Sequence, residues 1–506
     1  MSKKTAIIIL AFMLLTSALL GSSVLTRGHW WGDDFAAYIG QAQSILRGEM
    51  ERFVARNAFT VTQSSHEPGH QMGPAAYPWG FPLMLVPVYA LTGLSPLALK
   101  LPGLVTYLGF LIVFFFLTKR RFTLTESLPA PEWVPVPEWV LAVALFAFNP
   151  ELLRFLDNIA SDVPFLFLST LAILLADIYT QETQDKWRLM LAAITGVVVF
   201  AAFFIRTQGL LLLGAVLLWQ GIRFLRERET RRQTMMEVFV TVAGFGVLWG
   251  ASRLIFPDGQ TSYLSLYSDF SMGVFFGNVL SYSQLFSQFF LGLPGSAFIF
   301  GVFAMLFIIG QVARWKDDLL FVLYIGLYLL LLWSWPEWQG FRFLFPMLPF
   351  FIYFAFWGIK AVLGRLEGKQ KTLGQSMSYA ILLLVVGGFI IISGSNAYGN
   401  VRSGREINGP FDHFSIETYD YIKNNTPPDS IIVFFKPRAM RLMTDRDSLA
   451  LTECERLPEG DYLALSKKVG ENLQIPPERI DECNLPLDLV FQNRRFVVYK
   501  ILAKTP

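Results

Sequence analysis

Charge is what this chain of 506 residues has little of: 16 % of positions are Asp, Glu, Lys or Arg, against 53 % that are hydrophobic. A water-soluble domain of that composition would expose a largely apolar surface, so the soluble class is excluded and a bilayer is the fitting solvent. The formal net charge of +3 is too small to hold a nucleic acid, which excludes that partner. Cysteine is scarce as well. Cys454 and Cys483 are the two in the chain, and no metal-type spacing links them. Repeats and low-complexity tracts are absent, which excludes repeat architectures.

What is present is a succession of apolar segments, 47 phenylalanines among them. The first, about Thr5 to Leu25, follows Lys3 and Lys4 and is long enough to span. Small residues near Ser17 to Ser22 also fit a signal-peptide cleavage site, but the run's length favours a retained helix. Further spans are expected near 97–117, 138–153, 163–180, 189–205, 208–222, 235–256, 290–312, 319–335, 343–361 and 377–396, about eleven in all. Basic residues mark every second connection: Lys119 to Arg121, Lys186 and Arg188, Arg223 to Arg232, Arg314 and Lys316, and Lys360 to Lys371. By the positive-inside rule these connections and the N-terminus are cytoplasmic. An odd span count then places the C-terminus outside.

Two domains are expected: a membrane region over 1–399, with a first outer loop over 26–96, and an outer α+β domain over 400–506. In the latter, Ile416 to Asn424 reads as a helix capped by Ser415. Ser430 to Phe435 and Tyr462 to Leu465 read as strands, and Leu487 to Ile501 as a hairpin turning at Asn493-Arg494. Outside the cell the two cysteines meet oxidising conditions, where a bridge would add roughly 3 kcal/mol by closing the loop between them.

The first outer loop carries the chemistry. From Phe35 it reads as an amphipathic helix lying along the membrane surface, with Phe35, Tyr38, Ile39, Ala42, Ile45 and Leu46 on one face and Asp34, Gln41, Ser44 and Arg47 turned away. Gly48 supplies the stop. Asp33 and Asp34 head this helix, where one suits a cap and the other a base or metal ligand. Tyr77 to Leu94, broken by Pro78, Pro82 and Pro87, is expected to return along the outer surface as a juxtamembrane helix.

His66-Glu67-Pro68-Gly69-His70 matches the zinc-protease string, but Pro68-Gly69 breaks the helix that such a site requires. A looser divalent-metal contact through His66 and Glu67, or a phosphate contact through His70, remains open. Asp162, followed by Pro164, suits a helix cap or a functional carboxylate at the membrane boundary. Arg206 and Arg342 reach the same boundary, where arginine's planar fork suits either a phosphate or a carboxylate such as Glu337.

An N-terminal span, a loop opening on Gly32-Asp33-Asp34-Phe35, then Tyr77-Pro78-Trp79-Gly80-Phe81-Pro82 and Leu99-Lys100-Leu101-Pro102 together resemble the GT-C membrane glycosyltransferases. Within them the chain is similar to glycosyltransferase family 39, which holds protein O-mannosyltransferases and lipid A aminoarabinose transferases. The resemblance implies inverting transfer of a sugar from a polyprenyl-phosphate donor to an acceptor on the outer face. It places the family's first acidic position on Asp33, which is expected to act as the base, with Asp34 following it in a helix-capping or secondary role, and the second on Asp162. Ala76-Tyr77-Pro78-Trp79 stands where the aminoarabinose transferases carry Glu-Lys-Pro-Pro, which argues against that product and its metal site. Two other classes remain open: a ligase or polymerase of lipid-diphosphate oligosaccharides, and a non-enzymatic transporter or flippase of lipid-linked sugars. The transporter fits less well, because transporters keep polar groups near the bilayer midplane.

Overall fold

The computed structural model describes residues 3–65, 73–123, 136–259, 270–404, 406–469 and 473–502. Helix α1 (Lys3–Val24) leads into α2 (Asp34–Arg47), α3 (Met50–Gln63), α4 (Gly80–Thr92), α5 (Pro96–Leu99) and α6 (Leu101–Thr123). The body continues through α7 (Glu138–Ala147), α8 (Pro150–Phe155), α9 (Asp162–Tyr179), α10 (Asp185–Ile205), α11 (Gly209–Arg226) and α12 (Arg231–Ile255). It closes with α13 (Met272–Leu285), α14 (Ser296–Arg314), α15 (Leu319–Ser334), α16 (Leu348–Leu363) and the long α17 (Gly368–Ser403).

Among the described residues nine helical segments are long and apolar enough to cross a membrane. They account for nine of the eleven expected spans. Near 319–335 the helix α15 is apolar but only 16 residues long. Near 138–153 the expected single span is broken, because Asn149 turns its side chain back to accept from the amides of Glu151 and Leu152 and starts α8 afresh. The bundle shows its solvent on the outside: Leu254, Phe298, Leu384 and Phe239 are each more than 70 % exposed, as side chains facing acyl chains are.

At the bundle end opposite the first loop, buried carboxylates take up the basic residues. Asp177 holds Arg120 and Arg121 at 2.9 and 2.6 Å, and Asp318 holds Arg121 and Arg314 at 3.0 Å. Glu237 holds Arg223 at 2.9 Å and Glu138 holds Lys360 at 2.6 Å. The basic residues of these connections therefore also join helices, a role that charge counting along the chain does not show.

Beyond α17 lies the small α+β unit. It contains α18 (His413–Asn425), α19 (Pro437–Thr444) and strands β1 (Ile431–Val433), β2 (Asp447–Leu449), β3 (Tyr462–Ser466), β4 (Leu487–Gln492) and β5 (Phe496–Ile501). The sheet order is β2-β1-β3-β5-β4, with β1 parallel to both neighbours and the remaining pairs antiparallel. The expected hairpin forms, and Asn493 closes it by accepting from the amides of Arg495 and Phe496, each at 2.9 Å. The cap expected at Ser415 is instead Asp412, two residues before Phe414, whose carboxylate accepts from the amides of Phe414 and Ser415 at 3.0 and 3.1 Å. Cys454 and Cys483 are bridged.

The first loop is the joint between the two parts. Helix α3, absent from the sequence-based reading, bonds to β2 through Thr60 Oγ1 to the Ser448 carbonyl at 2.9 Å. Trp31 inserts its indole among Phe434, Phe435 and Phe496, with 4.9 Å between the centroids of Trp31 and Phe435. Sandwiched this way, α2 is no surface helix. Residues 35–42 are all buried, and Gln41, expected to turn away, exchanges hydrogen bonds with the Tyr77 backbone at 2.8 and 3.1 Å.

Candidate active site

Helix α2 ends where expected, with Gly48 at φ 69°, a conformation that costs glycine little. Its other end carries the two aspartates, and about 100° of helical phase sends them to different partners.

Asp34 faces the membrane body. Its Oδ1 accepts from the Tyr77 hydroxyl at 2.6 Å, and its Oδ2 lies 3.4 Å from both terminal nitrogens of Arg342. Burial by itself would raise its pKa, but Arg342, Tyr77 and Arg438 outweigh that and hold the carboxyl below its ordinary value. Asp34 is therefore an ionised carboxylate at neutral pH, and its side chain keeps 38 % of its surface open.

Asp33 faces the other way. It lies at the N-terminus of α19 and accepts from the Ala439 amide, with Arg438 and Lys436 near by. Lys436 precedes that helix and makes no side-chain cap, so Asp33 caps it from another part of the chain. Burial dominates here and raises its pKa, and Oδ1 has no hydrogen-bond partner among the described residues.

Asp162 opens α9 and Arg206 ends α10. The two meet at 2.6 Å, almost fully buried, while Oδ2 of Asp162 has no hydrogen-bond partner among the described residues. Arg206 also donates to Ser161 Oγ at 3.3 Å, and Ser161 meets the Tyr38 hydroxyl at 3.1 Å. Helix α4 can press against this corner because Gly80 lacks a Cβ, which would fall 2.5 Å from the Phe204 carbonyl oxygen. Phe343 lies between the two guanidinium groups, 4.4 Å from Arg206 and 5.4 Å from Arg342. Arg342 interacts electrostatically with both Asp162 and Asp34. The fold thus gathers Asp34, Asp162, Arg206 and Arg342 into one cluster, and it pairs Arg342 with Asp34, not with Glu337.

His66, Glu67 and His70 lie outside the described residues. Among the described residues no three His, Cys, Asp or Glu side chains come together as a metal site. Within the described cluster, Asp34 and Asp162 each face an arginine.

Two residues beside the cluster have no role in the sequence-based reading: Tyr77, which stands in the Tyr-Pro-Trp-Gly-Phe-Pro motif without a function of its own, and Arg438, one cation of the tail. Close by, His29 shapes the loop entry. Burial pulls its pKa down to about 4, so it is neutral, and its Nε2 accepts from the Ile159 amide at 3.1 Å. That assigns the proton to Nδ1, which donates to the Trp30 carbonyl at 2.8 Å.

A cavity of about 430 Å³ has Arg342 in its wall. Asn158, Gln288, Gln339 and Asn396 offer amides to it, Arg154 a second cation and Trp30 an aromatic face.

The family model of the Alg9-like mannosyltransferases matches residues 283–440. No curated protein matches the sequence. Among solved structures, ArnT from Cupriavidus metallidurans bound to undecaprenyl phosphate aligns at a TM-score of 0.59 with 12 % identity, covering 98 % of each chain. The Archaeoglobus fulgidus oligosaccharyltransferase in complex with zinc and sulfate aligns at 0.53 with 10 % identity, over 97 % of this chain and 73 % of that one. The same organism's AglB in complex with an inhibitory peptide and a dolichol-phosphate aligns at 0.50 with 11 % identity, over 87 % and 64 %. With a bundle of membrane-length helices, a first loop that carries paired carboxylates and a C-terminal sheet unit, the chain has the GT-C fold of membrane glycosyltransferases.

Proposed function

We propose that this protein transfers a sugar from a polyprenyl monophosphate to an acceptor hydroxyl at the first-loop face of the membrane, with inversion and with Asp34 as the base. The observation that carries this reading is the Asp34 carboxylate: ionised, partly open, steered by Tyr77 and paired with an arginine that also lines the polar cavity. The undecaprenyl phosphate and dolichol-phosphate bound by the two similar structures support the donor class.

In this reading Asp34 takes the proton of the acceptor hydroxyl as its oxygen attacks the sugar's anomeric carbon. The bond from that carbon to the phosphate oxygen breaks, and its electron pair leaves with the polyprenyl phosphate. Charge grows on the phosphate as the sugar becomes oxocarbenium-like, so the preplaced Arg342 guanidinium stabilises the transition state more than the ground state. Asp162 holds Arg206 in place beside it. The amides and Trp30 of the 430 Å³ cavity suit a sugar ring, and its arginines suit the phosphate. No step is assigned to a metal.

The basic connections and the bridged cysteines support an arrangement with the N-terminus cytoplasmic and this face outside. Replacing Asp34 with Asn is expected to lower the release of polyprenyl phosphate by about 10²–10⁴-fold while the protein stays folded. Near-normal release would remove Asp34 from the base role. Mass spectrometry of lipid that copurifies with the protein is expected to show one phosphate, and a diphosphate oligosaccharide would move the reading to a ligase or polymerase.

A further inference from the structure

A second cavity, of about 140 Å³, lies between α2, α3 and α19. Five arginines face it, and two of them are already matched: Arg52 pairs with Glu49 at 3.5 Å, and Arg56 with Asp445 at 2.6 Å. Arg47 has no ion pair among the described residues. Arg438 and Arg441 are 3 % and 8 % exposed, yet their hydrogen bonds go to neutral groups. Arg438 reaches Asn57 Oδ1 at 3.2 Å and the carbonyls of Gly73 and Pro74 at 2.7 and 2.9 Å. Arg441 reaches Asn57 Oδ1 at 3.2 Å and the Thr60 hydroxyl, and its Nε makes no hydrogen bond among the described residues.

Asp447, the carboxylate nearest to Arg441, is 3.4 Å away and lies closer to Arg56 at 2.8 Å. Burial, with Arg56 and Arg438 crowding it against the pull of Asp447, brings the Arg441 guanidinium down to about 10. Arg441 shares Asp447 with Arg56, and Arg438 feels Asp33 and Asp34 from outside the pocket wall, so the wall itself sets five arginines against two carboxylates, Glu49 and Asp445. Its arginines suit a tetrahedral or planar oxyanion, which guanidinium forks bind in bidentate fashion.

The pocket also adjoins the transfer centre. Arg438 stacks over the Tyr77 ring at 5.6 Å, and the Tyr77 hydroxyl is the one that holds Asp34. We infer that this pocket is an anion site that seats an acidic group, phosphate or carboxylate, of the acceptor, so that a neighbouring hydroxyl of the same molecule is delivered to Asp34. The acceptor assignment rests on the transfer reading above, whereas the anion site does not.

The test uses full-length protein in neutral-lipid nanodiscs, preloaded with a polyprenyl monophosphate so that the donor's phosphate site is filled. Inorganic phosphate is then titrated calorimetrically. Wild type and Asp34→Asn are expected to bind one phosphate alike, while Arg47→Gln and Arg441→Gln weaken binding at least tenfold. Arg47 is exposed, so its variant remains informative where Arg441→Gln fails to fold. No phosphate binding, or equal binding in both arginine variants, overturns the anion site. With donor-containing membranes of the source cells supplying the acceptor, polyprenyl phosphate release is expected to fall at least tenfold in Arg47→Gln. Normal release alongside lost phosphate binding overturns the acceptor assignment. Phosphate displaced by phosphatidylglycerol in the nanodisc assigns a lipid-borne acidic group, and phosphate undisturbed by it assigns a water-borne one.

Discussion

Asp33 and Asp34 are neighbours in the chain with opposite electrostatic fates. Asp34 is stabilised as a carboxylate by Arg342, whereas burial raises Asp33. A carboxyl whose folded pKa exceeds its unfolded value of about 3.9 keeps its proton longer in the folded state. It therefore costs stability as pH rises from that unfolded value through the folded one. Asparagine at this position keeps an acceptor for the Ala439 amide and removes the buried charge. Asp33→Asn is thus expected to keep transfer activity and to hold or raise the melting temperature at pH 7.5, with less change between pH 7.5 and pH 4 than wild type. Asp33→Ala loses the cap and is expected to cost about 0.5–2 kcal/mol, read by thermal unfolding. If Asp33→Asn stopped transfer with the fold intact, the base role would return to Asp33. Position in the family pattern favours Asp33 as the base and Asp34 as the secondary group, whereas composition separates them in neither direction, because a pair of carboxylates at a helix start suits both roles.

At the scale of elements, a single ammonium fastens the start of the first loop. Lys100, fully buried between α5 and α6, donates to the carbonyls of Thr26 and Gly28 at 2.9 and 2.6 Å and to Asp157 at 2.6 Å. Asp157 in turn accepts from the Thr26 amide at 2.6 Å. Lys100→Met would leave Asp157 buried without its counter-charge, a loss expected to cost about 3–5 kcal/mol. Chemical denaturation in detergent measures it, and an unchanged midpoint would show that water or the backbone compensates. In the sequence Lys100 shows only as part of a Leu-Lys-Leu-Pro string, since the oxygens of Thr26, Gly28 and Asp157 that it meets lie 57 to 74 residues away. Helix α2 was legible in length and in its stop at Gly48, because periodicity and glycine signals are local. Its environment was not, because the unit that covers its polar face begins more than 350 residues later.

For the molecule as a whole, the C-terminal unit is clamped onto the first loop and supplies Asp33 with α19 and Tyr77 with Arg438. The Cys454–Cys483 bridge closes a sequence separation of 29 residues in that unit. Replacing both cysteines with serine is expected to lower its stability by roughly 3 kcal/mol, and unfolding midpoints that are insensitive to both reductant and substitution would remove the bridge's stabilising role. The sequence by itself determined the membrane class, nine of the spans and the placing of Asp162, Arg206 and Arg342 at the same boundary as the Asp33-Asp34 pair. Each of these follows from local hydrophobic length and from the cost of charge inside a bilayer. Only the tertiary structure decided which carboxylate meets which cation. Arg342 reaches Asp34 across 308 positions and Arg206 reaches Asp162 across 44. Helix phase and packing between distant segments set those pairings, and neither leaves a trace in the order of residues along the chain.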